Sequence, residues 1–98
     1  MIAAATWDSL GYVRHLLGQH EAAVRCYQLA AAMYAEFGAP LYRAEVLINL
    51  GDAQEAAGDR QAARELWHEA LVVFEQTHHR DIERLRAKLQ TTDSGATA

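Results

Sequence analysis

The chain matches itself when shifted by 40 residues. The shift lays Ala4 on Ala44, Leu10 on Leu50, Gly11 on Gly51 and Gly18 on Gly58. It also lays Ala22 on Ala62, Ala23 on Ala63 and Ala30 on Ala70. Bulky residues follow in kind: Trp7 over Leu47, Tyr27 over Trp67, Met33 over Val73, Tyr34 over Phe74. Alanine richness inflates some of these matches, but paired glycines and leucines do not arise from composition. A unit of this size cannot bury its own apolar face, so two copies in one chain must stack side by side and share a core.

Apolar periodicity and punctuation make the units helical. A first helix is expected over residues 2–17, stopped by Gly18 as a residue that takes positive φ at least cost. A second spans 20–37 and ends at Gly38-Ala39, with Pro40 suited to open the next helix. A third spans 41–57 and ends at Gly58. Asp59 is placed to cap a fourth that reaches Thr77. A fifth covers 80–90, where Ile82, Leu85 and Leu89 form one apolar stripe. Residues 91–98 are small and polar and are expected to be disordered. No stretch alternates with period two, so no strands are expected. Turns of two or three residues force antiparallel neighbours. The expected fold is therefore all-α: one hairpin over 2–38, a second over 40–78, a capping helix over 80–90 and a tail over 91–98.

The residues at these positions resemble the tetratricopeptide repeat. The family pattern opens W-x-x-L-G, matched in full by Trp7, Leu10 and Gly11 and in part by Leu47, Leu50 and Gly51. Ala23 and Ala63 match its small residue, Tyr27 and Trp67 the following aromatic, and Ala30 and Ala70 the later alanine. On size grounds, the glycines and alanines should let the two helices of a hairpin close up, while the aromatics fill the gap to the next hairpin. The sequence departs from the pattern where Arg14 and Gln54 replace a mid-helix aromatic and where Ala35 and Glu75 replace the closing proline. The 40-residue period exceeds the usual length of roughly 34. The segments LGYVRHLLGQHEAAVRCY and LGDAQEAAGDRQAARELW are similar to the C-terminal repeats of actinobacterial antibiotic regulatory proteins, transcriptional regulators in which such repeats follow a DNA-binding domain and often an ATPase domain.

This resemblance implies a protein-interaction scaffold with no catalytic function, or alternatively an effector-sensing domain that takes a peptide or small molecule. In such repeats the first helix of each hairpin lines a concave groove. The matching positions are Asp8, Ser9, Tyr12 and His15, then Ile48, Asn49, Asp52 and Glu55. An asparagine at the position of Asn49 often holds a ligand's backbone in peptide-binding relatives. The lysines and arginines that clamp a partner's terminal carboxylate in chaperone-binding members are missing from these positions, so the implied partner is neutral or basic.

Other function classes find little support. A net charge of −4 argues against a general binder of nucleic acid or anionic membrane. One cysteine, Cys26, cannot form an internal disulfide and suits a reducing cytoplasm. Neither a signal peptide nor a membrane-length apolar run is visible. The five histidines, His15, His20, His68, His78 and His79, contain no HExxH, and the adjacent His78-His79 pair reads as a helix end. Neither GxxxxGK[ST] nor GxGxxG occurs, so no nucleotide, metal or other cofactor is expected. Arg80, Arg84, Arg86 and Lys88 read as the solvated basic face of the capping helix.

One edge of the expected solenoid looks unfinished. Trp7 and Leu10 sit on a helix that would ordinarily pack on a preceding hairpin, and no polar cap comes before it. The expectation is self-association through Trp7 and Leu10, as a symmetric dimer of first hairpins or by exchange of helices, or docking on upstream domains of a longer protein.

Overall fold

The computed structural model describes the backbone of residues 3–97 and the side chains of residues 3–91. Five helices follow one another: α1 (Ala4–Leu16), α2 (His20–Glu36), α3 (Pro40–Ala56), α4 (Arg60–Gln76) and α5 (Ile82–Thr97). No strand occurs among the described residues. Each helix packs on the next, α1 on α2, α2 on α3, α3 on α4 and α4 on α5. The result is an all-α stack of two helical hairpins closed at one end by α5.

The turns show why the helices start and stop with such regularity. After α1 the Gly18 N–H donates to the His15 carbonyl at 3.0 Å and the Gln19 N–H to the Arg14 carbonyl at 2.9 Å. The same paired bonds follow α2, α3 and α4, ending with His78 N–H to Glu75 and His79 N–H to Phe74. This double closure satisfies two orphan carbonyls and needs one residue in the left-handed region. Gly18, Gly38 and Gly58 supply it at φ of 77°, 66° and 97°. The fourth turn has no glycine, and His78 takes the position at φ 51°. At the helix starts, Pro40 occupies the first turn of α3, and the Asp59 carboxylate accepts from the Ala62 N–H at 3.0 Å.

Inside each hairpin one glycine and one aromatic fit together. The ring of Tyr27 on α2 lies over Gly11 on α1, and the indole of Trp67 on α4 lies over Gly51 on α3. These aromatics therefore fill the space inside their own hairpin, which corrects the expectation that they bridge to the next one. A bare backbone at residues 11 and 51 lets a ring lie against the helix at that distance. Ala23, Ala30, Ala63 and Ala70 are wholly buried around them, with Val46, Leu47, Leu50 and Phe74 completing the core.

The C-terminal segment differs from expectation. The fifth helix begins at Ile82 and continues through Thr97, where a disordered tail was expected from residue 91. No proline and no early glycine interrupts the sequence after Leu89, so nothing obliges the helix to end there. Residues 1, 2 and 98, among them the expected start of the first helix and the end of the tail, lie outside the described residues. Leu85 and Leu89 are buried and Ile82 is half-buried, as the apolar stripe required. The basic face, however, is not simply solvated. Arg86 bonds Glu75 at 3.0 Å and also pairs with Glu83, while Lys88 turns inward to Asp52.

Candidate functional site

The first helices of the two hairpins, α1 and α3, touch along the inner face of the stack. There the side chains of Asp8 and Asn49 interact across the two repeats, at positions one residue apart in register. Burial pushes the Asp8 carboxyl above its ordinary range, opposed by the Asn49 side chain. Tyrosines surround the junction. The Tyr27 phenol, buried and facing the negative charges of Asp8 and Asp52, is pushed up to about 12. The Tyr34 phenol is raised by burial and by Asp8, and its ring stacks on Tyr42 with centroids 5.5 Å apart.

One end of this face is closed by α5. The Lys88 ammonium bonds the Asp52 carboxylate at 2.9 Å and lies 5.0 Å from the centre of the Trp67 ring. Trp67 in turn donates its Nε1–H to the Ile48 carbonyl at 3.1 Å. Beside this chain of contacts lies a cavity of about 160 Å³ between α3, the end of α4 and α5. Ile48, Phe74 and Leu85 make its apolar wall, Glu45 and Asp81 its acidic edge, and Arg84 and Lys88 its basic edge. His79 stacks on Phe74 at 3.9 Å, accepts the Asp81 N–H at 3.1 Å through Nδ1 and brings Nε2 within 3.7 Å of Glu45. The cavity has room for one medium-sized side chain, with hydrogen-bonding groups of both signs at its mouth.

The groove residues expected from the sequence therefore separate. Asp8 and Asn49 come together, Ile48 and Asn49 line the cavity, and Asp52 is held by Lys88. Ser9, Tyr12 and Glu55 are exposed, and His15 bonds His20 in the turn at the far end of α1. Trp7 is half-buried against the core, while Leu10 remains 36% exposed. Sequence reasoning missed Arg84, Lys88 and Phe74 as groove residues. A second shift of 40 would have found Lys88, which falls in register with Asp8 and Ile48. With Lys88 and Arg84 present, the groove is not purely acidic, and the inference of a neutral or basic ligand from missing cations does not hold.

No group of three or more metal-ligating side chains occurs among the described residues, and no helix there is long and apolar enough to cross a membrane. Residues 2–76 match the family model described as Tetratricopeptide repeat, and the chain belongs to that family. Repeats of this family generally mediate protein–protein interaction and are typically non-catalytic scaffolds. Comparison with curated proteins and with solved structures returned no match.

Proposed function

We propose that the chain is a protein-docking module whose principal contact surface is the outer face of α1, in the setting of a bacterial transcriptional regulator or signalling ATPase. The single observation that carries the docking surface is the difference between equivalent positions of the two repeats. On α3, which has α2 on one side and α4 on the other, Val46, Leu50 and Ala53 are 1%, 5% and 0% exposed. Their counterparts on α1 are Thr6, Leu10 and Val13. Leu10 is 36% exposed, Val13 49%, and Leu17 at the end of the same stripe 65%. A face built to the same plan as a buried one, and left uncovered, favours a helix from a protein partner or a second copy of the chain. The regulator setting rests on the length of the repeat and on the resemblance of the segments 10–27 and 50–67, which run through both helices of each hairpin.

Sedimentation of the purified chain tests the reading. Self-association that weakens on Leu10→Ser with Val13→Ser, without loss of helicity, supports docking through α1. A clean monomer at high micromolar concentration, together with unchanged partner capture by the double variant, sinks it.

The cavity beside Asn49 favours a second reading, an effector site for a peptide side chain or small molecule. Binding that survives both Asn49→Ala and Asp52→Ala would remove it.

A further inference from the structure

His15, in the last turn of α1, and His20, the first residue of α2, face each other across the Gly18 turn with their Nδ1 atoms 3.0 Å apart. Their ring centroids are 4.8 Å apart and the rings are tilted by 59°. Both side chains are half-buried, so the pair is braced by its surroundings yet open to solvent. The turn that holds them is fixed by its two backbone bonds, and the neighbouring Arg14 guanidinium is occupied by the Gln19 Oε1 at 2.6 Å. Glu21 and Arg25 are the charged side chains that line the surface beside His20.

Two nitrogens each about 2.1 Å from one metal ion and roughly at right angles about it lie about 3 Å from each other. The His15–His20 separation is that distance. We propose that His15 and His20 form a two-imidazole site for a divalent transition-metal ion of the class that favours nitrogen donors, Cu²⁺, Ni²⁺ or Zn²⁺. In the metal-free protein the short contact is a hydrogen bond, with one Nδ1–H donating to the other Nδ1. On binding, the donor ring exchanges that proton through solvent for one on its own Nε2, with no net proton released, so both rings carry hydrogen on Nε2 and both Nδ1 lone pairs go to the ion. Two protein donors leave the other coordination positions to water or to a group brought by a partner. The ion would tie α1 to α2, so it would stabilise the first hairpin directly. The site escaped sequence reading because a spacing of five residues across a glycine turn belongs to no helical metal motif.

The second repeat supplies the control. Glu55 and Arg60 stand where His15 and His20 stand in the first. The double variant His15→Glu with His20→Arg therefore rebuilds a turn the fold already accepts. Titration of the whole chain with Cu²⁺ should give one equivalent whose electron paramagnetic resonance spectrum shows two imidazole nitrogens. That signal should vanish in the double variant and persist in His78→Ala and His68→Ala. Zn²⁺ should raise the melting temperature of the parent chain and leave the double variant unmoved. The proposal is overturned if the double variant still takes the same equivalent. A spectrum showing fewer than two imidazoles, or no binding of Cu²⁺ or Zn²⁺ by the folded parent, overturns it equally.

Discussion

The Nε1 atom of Trp67 occupies the space that a side chain on residue 51 would need: a Cβ built on Gly51 would collide with it. The same indole donates to the Ile48 carbonyl one turn earlier on α3, so the contact is both steric and polar. This relationship locks α4 onto α3 and fixes the position of the cavity wall at Ile48.

Gly51→Ala should accordingly destabilise the fold by about 1–3 kcal/mol, because a well-packed indole must shift and lose its bond. The helix-propensity gain of up to about 1 kcal/mol from alanine only partly offsets this. Gly11→Ala meets the Tyr27 ring at 2.8 Å and should cost less, since the ring makes no such bond to α1. Thermal melts followed by circular dichroism decide the order; equal melting temperatures for the two variants would contradict it.

The turns separate conformational strain from crowding. A Cβ on Gly58 would touch nothing within 4 Å, yet φ there is 97°. Gly58→Ala should therefore cost about 1–2 kcal/mol through backbone conformation alone. His78→Gly should do the reverse, because a non-glycine residue already sits at φ 51°, and should stabilise by up to about 1 kcal/mol. Urea unfolding of both variants checks the pair of signs.

The bond between Lys88 and Asp52 joins α5 to the groove with both side chains about one-third exposed. A double-mutant cycle with Lys88→Met and Asp52→Asn should give a coupling of no more than about 1 kcal/mol, shrinking as salt is raised. A larger, salt-independent value would mark the pair as buried in solution.

Alkaline pH should weaken the fold through Tyr27. Its phenol is pushed up to about 12, while the unfolded chain titrates near the ordinary value of 10.0. The folded state thus holds the proton longer. Its advantage is complete below pH 10 and is lost as pH rises through 12, a change of about 2–3 kcal/mol. Tyr27→Phe should flatten that alkaline slope. Stability that falls equally steeply in the variant would assign the effect to other groups.

Asp8 works in the opposite pH range but by the same rule. Its folded carboxyl is raised above 3.8, so the fold favours the protonated form, and the advantage disappears as pH climbs through the raised value. Asp8→Asn should therefore stabilise the chain at neutral pH, with the gain fading in acid. Denaturant midpoints measured from neutral to acid pH show whether the two curves converge.

The repeat, the hairpins and their ends were legible because each rests on local chemistry. Gly18 and Gly58 are where a helix can turn left-handed at least cost, and Asp59 is where an amide needs an acceptor. A 40-residue self-match requires two copies of one structural unit. His78 falls in register with Gly38, so the missing glycine was legible, but its φ of 51° was not, because only the folded turn shows that the left-handed conformation is kept without glycine. The groove was legible only as a set of positions. Whether Asp8 reaches Asn49, whether Lys88 turns toward Asp52 or toward water, and whether Tyr27 lies within its own hairpin depend on how α1, α3 and α5 sit beside one another. The packing of Gly11 and Gly51 under their aromatics sets the spacing within each hairpin, and the contacts of α2 with α3 and of α4 with α5 set how the hairpins and α5 lie together. Sequence spacing fixes which face of a helix a residue occupies; only the tertiary contact decides what that face meets.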